Sequence, residues 1–128
     1  MNSQDTTISI SHRNKEIIDS YREELNKHIQ DLRERKVERT FGVADFAELL
    51  HIHPTHLSNV LHQVSGKSPC DMYENSLVEL SKELLAQTNK SIGDIARQLD
   101  YDPSNFTKFF KNYTGLTPKQ YRQGLHQA

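Results

Sequence analysis

Residues 46–69 read FAELLHIHPTHLSNVLHQVSGKSP, and residues 95–118 read IARQLDYDPSNFTKFFKNYTGLTP, the same pattern rewritten at a constant offset of 49 positions. Phe46, Ala47, Leu50, Ile52, Pro54, Leu57, Leu61, Val64, Gly66, Ser68 and Pro69 match Ile95, Ala96, Leu99, Tyr101, Pro103, Phe106, Phe110, Tyr113, Gly115, Thr117 and Pro118 without a gap. Each copy predicts a short apolar helix, a three-residue turn, a second helix opening on proline, and an exit through Gly-x-Ser/Thr-Pro. That order is a helix-turn-helix, and its recurrence means one supersecondary unit built twice. Two such units in one small chain imply DNA reading in two successive places.

The elements around the repeat follow from the same rules. Residues 1–11 are polar, lack periodicity and are expected to fray. Ile17, Ile18, Tyr21, Leu25, Ile29 and Leu32 place an apolar stripe on a helix from about Arg13 to Lys36. The stripe allows packing on the first unit or a homodimer through this helix, although His28 and Arg35 interrupt one seam. Gly42 leads into a helix over 43–50, and a second runs from Pro54 to Val64 with Gly66 beyond its end. Ser68 and Asp71 form a capping pattern for a third helix reaching Gln87, with Met72, Tyr73, Leu77, Leu80 and Leu84 buried. At ~1.5 Å per residue that helix can link two units. Ser91 and Asp94 repeat the cap before a helix to Leu99, Pro103–Tyr113 follows, and Thr117-Pro118 opens a last helix through Arg122. The expected fold is all-α: two helix-turn-helix subdomains joined by a long central helix, about seven helices plus an extended N-terminal one. Its divisions are 1–41 (tail and amphipathic helix), 42–68 (first unit), 69–89 (connecting helix) and 90–125 (second unit with C-terminal helix).

Composition narrows the function. With 34% hydrophobic residues over 128 positions, a modest helical core can be filled but little remains for a ligand-binding domain. No apolar run approaches the ~18 residues that span a bilayer, and the N-terminus is not a signal peptide. Cys70 is the one cysteine, so there is neither a disulfide framework nor a cysteine zinc cluster, and a soluble, reducing compartment is expected. Net charge is −1, yet Lys108, Lys111, Lys119 and Arg122 give the stretch from Pro103 onward +4 without an acid. Residues 53–68 hold Lys67 and three histidines, again without an acid. A basic face on a near-neutral chain is an electrostatic footprint for phosphates.

The second helix of each copy carries a core face and a polar face. Leu57, Val60, Leu61 and Val64 hold the core spacing of the first, and Thr55, Ser58, Asn59 and His62 the polar one. In the second copy Phe106, Phe109, Phe110 and Tyr113 are core, and Ser104, Thr107, Lys108 and Lys111 are polar. Solvated helix faces are normally filled with Glu and Lys. Here Ser, Thr and Asn, poorer helix formers, recur at matched positions, so something other than helix stability is served. Short hydrogen-bonding groups without acids suit a groove lined by phosphates.

At this point the stretch from Val43 to Arg122 resembles the tandem helix-turn-helix domain of the AraC/XylS family of bacterial transcription regulators. The residues that carry the resemblance are Ile95-Ala96, the run Asn105-Phe106-Thr107-Lys108-Phe109-Phe110-Lys111, Gly115-Leu116-Thr117-Pro118 and Tyr121-Arg122. Lys82-Glu83-Leu84-Leu85 and the Ser91-Ile92 helix start agree with it. The resemblance implies a sequence-specific regulator of transcription, an activator touching RNA polymerase, with double-stranded DNA as its partner. Its first site would use Thr55, His56, Ser58, Asn59 and His62, with Thr55, Ser58 and Asn59 facing bases. Its second would use Ser104, Asn105, Thr107, Lys108 and Lys111, with Lys111 on phosphate. Two departures stand out. The turn glycine common in the family is His51 in one unit and Asp100 in the other, and the first recognition helix lacks the arginine many members place near Asn59. The first unit is then expected to read an adenine-containing element through Asn59 or to contribute little specificity, and Lys108 to favour guanine.

Other readings are weaker on the residues. His51, His53, His56 and His62 crowd the first unit, but helical geometry spreads them over different faces without a carboxylate or cysteine at metal spacing, so no metal or cofactor is expected. Cys70 lacks a neighbouring base, and no catalytic constellation is visible, so an enzyme is not expected. The rival reading is a helix-turn-helix scaffold that docks proteins and binds little DNA. The missing arginine and the net charge of −1 favour it; the +4 segment and the paired polar faces oppose it.

Overall fold

The computed structural model describes residues 3–37 and 39–127, and the side chains within 12–37 and 39–125. Its order is α1 (Ser3–Arg33), α2 (Val43–Leu49), α3 (Pro54–Ser65), α4 (Pro69–Gln87), α5 (Ile92–Gln98), α6 (Pro103–Thr114) and α7 (Pro118–Gln127). Among the described residues every regular element is helical, and the N-terminal helix is itself one of the seven. Backbone contacts divide the chain into two compact units. One comprises α1 to His28 with Phe41–Tyr73; the other comprises Ile29–Thr40 with the chain from Glu74 onward.

The helices begin and end where local chemistry satisfies their terminal groups. Asp45 accepts from the Gly42 N–H at 2.7 Å ahead of α2. Ser68 and Asp71 cap α4 reciprocally, at 3.3 and 3.1 Å. Thr117 and Gln120 do the same for α7, at 2.9 and 3.1 Å. Ser91 Oγ accepts from the Asp94 N–H of α5 at 3.0 Å. Gly66 and Gly115 close α3 and α6 with φ of 74° and 81°. A Cβ at either would meet nothing within 4 Å, so the left-handed backbone, not space, asks for glycine.

α1 departs from its expected limits at both ends. It starts at Ser3, so residues 3–11 are helical where a frayed tail was expected; Met1 and Asn2 lie outside the described residues. No glycine or proline precedes Gly42, so nothing stops a helix held by packing from extending backward. It ends at Arg33 instead of Lys36 because Arg35 turns left-handed (φ 60°) and the Lys36 N–H reaches the Asp31 carbonyl at 2.8 Å.

In the first unit Ile18, Tyr21 and Leu25 of α1 bury with Phe46, Ala47, Leu57, Leu61 and Tyr73. The Tyr21 and Phe46 rings meet edge to face at 5.2 Å. Tyr21 donates its hydroxyl to the Pro69 carbonyl at 3.1 Å, and burial pushes its phenol far above the ordinary range. His28, which breaks the apolar seam in sequence, is buried against Phe41 at 4.1 Å and hydrogen-bonded to the Tyr73 hydroxyl at 2.8 Å. The apolar stripe from Ile17 to Leu32 is buried within the chain.

In the second unit Leu32, Leu77, Leu80, Leu85, Ile95, Ala96, Leu99, Phe106 and Phe110 form the core. Each leucine, isoleucine and phenylalanine side chain among them contributes roughly 1.5–3 kcal/mol by leaving water. Gln98 is the buried polar link: its amide donates to the Leu32 and Arg33 carbonyls at 3.2 Å each, satisfying the end of α1. Lys90 donates to its oxygen at 2.7 Å. Arg33 grips Glu83 with two bonds, at 2.6 and 3.1 Å.

Two expected core residues lie outside the core. Val64 is 46% exposed and Tyr113 39%. They occupy equivalent places in the last turn of α3 and α6, two residues before the left-handed glycine, where neighbouring elements cover only one side. Met72 is half-buried instead of buried.

The two turns contain His51 at φ 57° and Asp100 at φ 63°, as the missing glycines require. A non-glycine residue there costs roughly 1–2 kcal/mol, and glycine returns about half of that as unfolded-state entropy. His51→Gly is expected to raise stability by up to ~1 kcal/mol in denaturant titration. Asp100→Gly is expected to gain less or to lose stability, because the Asp100 carboxylate accepts from the Thr40 N–H and hydroxyl at 3.0 and 3.3 Å. Equal gains at both sites would refute the argument.

Candidate nucleic-acid interface

Each unit builds a projecting helix by the same steps. α2 packs on α3, and α5 on α6. The left-handed residue then reverses the chain, with Ile52 N–H bonding Ala47 O at 3.0 Å and Tyr101 N–H bonding Ala96 O at 2.8 Å. Pro54 and Pro103 open the second helix, where the missing N–H is no loss. Leu57, Val60 and Leu61 hold α3 by its inner face, and Phe106, Phe109 and Phe110 hold α6. The outer faces are left to solvent.

On α3, Thr55, His56, Asn59 and His62 are exposed and Ser58 is half-buried; on α6, Ser104, Asn105, Lys108 and Lys111 are exposed and Thr107 is half-buried. Helical spacing places Thr55, Ser58, Asn59 and His62 along one side of α3, with His56 beside them, and Ser104, Thr107, Lys108 and Lys111 along one side of α6. Two hydroxyls on α6 are engaged locally. Ser104 Oγ donates to Asp102 at 2.6 Å, and Thr107 Oγ1 to the Pro103 carbonyl at 3.1 Å, so each keeps only acceptor capacity for a groove. Among the described residues, the Asn59, Asn105 and Lys111 side chains make no hydrogen bond.

The two faces differ in charge. Apart from histidines, α3 presents only neutral groups, whereas Lys108 and Lys111 make the α6 face cationic. The caps differ in the same sense. His53 Nδ1 accepts from the Thr55 N–H at 3.1 Å, so its unprotonated nitrogen starts α3. Asp102 starts α6, accepting from the Ser104 N–H at 3.2 Å. The cap role of His53 was not read from the sequence, although the offset of 49 pairs it with Asp102. The +4 segment is also reduced as a phosphate-facing charge. Lys108, Lys111 and Lys119 are exposed, but Arg122 is half-buried and bonded to three backbone carbonyls.

Among the described residues no group of three or more His, Cys, Asp and Glu side chains is placed to hold a metal ion. His51, His53, His56 and His62 are distributed over the turn, the cap and two positions on α3, and Cys70 is exposed on α4. No helix among those residues is long and apolar enough to cross a membrane.

Tandem helix-turn-helix units with acid-free outward faces define a DNA-binding domain. The comparisons agree. A family model described as a helix-turn-helix domain matches residues 46–124. The uncharacterized HTH-type transcriptional regulator YisR of Bacillus subtilis is 33% identical over 72% of this chain and 32% of its own length. The arabinose operon regulatory protein of Escherichia coli is 26% identical over 77% of this chain and 34% of its own. The DNA-binding domain of AdpA, a global transcriptional factor solved in complex with a target DNA, shares the fold. It superposes with a TM-score of 0.67 over 80% of this chain and 93% of that one, at 17% identity. The chain belongs to the AraC/XylS family and carries its helix-turn-helix DNA-binding domain. It spans about a third of the length of the two curated relatives named.

The cap of α6 sets a pH limit. The Ser104 hydroxyl bond, followed by the Asn105 and Ser104 backbone N–H groups and the Lys108 charge, holds Asp102 below the ordinary carboxylate range. A lowered folded value means the cap contributes above the ordinary value and is lost as pH falls through the lowered one, below about pH 4. Amide shifts of Ser104 and Asn105 followed by NMR are expected to titrate in that acidic window. A midpoint at or above the ordinary aspartate value would refute the assignment.

Proposed function

We propose that this chain is the DNA-reading part of a bacterial transcription regulator in which α3 and α6 each enter one major-groove segment. The observation that supports it best is the pair of equivalent helices with exposed, acid-free polar faces. Phosphates line a groove on both sides, and such faces enter it without repulsion. Thr55, Ser58 and Asn59 would read bases in one segment, and Ser104, Thr107 and Lys108 in the other. His56, His62, Asn105 and Lys111 would complete the two contact sets, with Lys111 on phosphate.

The charge difference divides the work. α6 supplies attraction through Lys108 and Lys111, while α3 reads with neutral groups and contributes shape and hydrogen bonds. Asn59 suits adenine, whose edge offers one acceptor and one donor; Lys108 suits the two acceptors of guanine. Tandem units predict two elements about one helical turn, ~10 bp, apart. Activation through contact with RNA polymerase, in the cytoplasm, completes the reading and rests on the family resemblance.

Selection of bound sites from a random duplex library tests it. Two enriched blocks ~10 bp apart are expected. Lys108→Ala is expected to erase a guanine preference in one block, and Asn59→Ala an adenine preference in the other, each by roughly 1–3 kcal/mol. Lys111→Ala is expected to weaken all sequences alike and lower the salt slope by about 1. A single block unaffected by Asn59→Ala would confine base reading to α6. Absence of enrichment over bulk DNA would favour a protein-docking scaffold.

A further inference from the structure

We propose that Arg122 is a positioning residue for DNA reading by α6: it ties α7 to the segment that leads into α5 and so holds the second recognition helix between them. This rests on the DNA reading above. Arg122 lies on α7, where its guanidinium meets three backbone carbonyls. Nε donates to Leu85 O at 3.0 Å, Nη1 to Lys90 O at 2.6 Å and Nη2 to Thr88 O at 3.3 Å.

Those carbonyls are not equivalent to one another. Leu85 stands in the last turn of α4, and Thr88 and Lys90 form the break before Ser91 caps α5. A helix end and an irregular segment both leave acceptors without intrahelical partners. One planar, five-donor group serves all three, which an ammonium on a flexible stem cannot do with the same geometry. α6 packs on α5 before it and on α7 after it. Arg122 therefore closes a loop around the recognition helix, and the segment leading into α5 cannot move against α7 without breaking the charged hydrogen bonds to the Thr88 and Lys90 carbonyls.

The first unit makes the corresponding tie with different chemistry. Moving back 49 positions takes Arg122 to Tyr73 and Lys90 to Phe41. The Tyr73 hydroxyl accepts from the Phe41 N–H at 3.3 Å, and both pairs are separated by 32 positions. A phenol oxygen takes a backbone N–H in one unit; a guanidinium gives to backbone carbonyls in the other. Recurrence of the tie across unrelated side chains argues that the unit needs it, whereas a mere cationic contact to phosphate would need no such partner.

The test uses the whole chain as Arg122→Ala and Arg122→Lys, with duplexes in which either block of the wild-type site is scrambled. Arg122→Ala is expected to lose discrimination at the α6 block roughly five- to a hundredfold, the size of one good base contact, while keeping that of the α3 block. The salt slope is expected to stay unchanged, because no phosphate contact is removed. Arg122→Lys, which keeps the charge and one or two of the bonds, is expected to fall between and serves as the folded comparison if the alanine variant loses its helical circular dichroism. A salt slope lowered by about 1 with discrimination intact would make Arg122 a phosphate contact and overturn the proposal. Equal loss at both blocks would overturn it too. If the wild type shows no sequence preference, the DNA reading itself fails, and amide exchange in the free protein decides the tie. Faster exchange across 92–112 with 43–65 unchanged supports it, and unchanged exchange refutes it.

Discussion

Each unit turns on one backbone constraint: the residue closing the first helix must take a positive φ, here 57° at His51 and 63° at Asp100. That rotation ends α2 or α5 and aims the chain so that a proline can open the next helix three residues later. Without it the first helix would continue, Leu57 or Phe106 could not return to the core, and the outward face would not exist. The family's usual glycine meets this requirement without strain. In this chain the strain is carried by histidine and aspartate, and at Asp100 the bonds to Thr40 offset part of it.

Packing then decides what each recognition helix can present. The inner residues of α3 are aliphatic and those of α6 aromatic, yet both helices leave the same register of polar positions outside. The chemistry of those positions has diverged more than the scaffold. α3 is capped by a neutral imidazole nitrogen and carries no lysine; α6 is capped by a carboxylate and carries two. Under the proposed DNA reading, the lysines of α6 supply a phosphate attraction that reaches beyond a single contact. Under the same proposal, the neutral outer face of α3 is left to short-range hydrogen bonding.

Much of this was legible in the chain itself. An offset of 49 residues with glycine and proline at matched places leaves few architectures open, and the limits of α2 to α7 fall within a few residues of the expected ones except at the end of α7. α7 continues to Gln127 because nothing after Arg122 breaks a helix except Gly124, which a helix tolerates. The outer faces of α3 and α6 were legible for the same reason, since helical periodicity separates core from solvent without any knowledge of the neighbours. Periodicity fails at helix ends, where Val64 and Tyr113 share the core register but lack covering partners.

What the sequence determined by itself was local: the repeat, the turns, the caps and the alternation of faces, all set by interactions within about one helical turn. What tertiary structure decided was the fate of groups whose meaning depends on distant partners. His28 reads as a break in an apolar seam until Tyr73 and Phe41 enclose it. Arg122 reads as one more positive charge until three carbonyls 32 to 37 positions earlier claim its guanidinium. A long polar side chain has many partners within its reach, and only the folded chain selects among them.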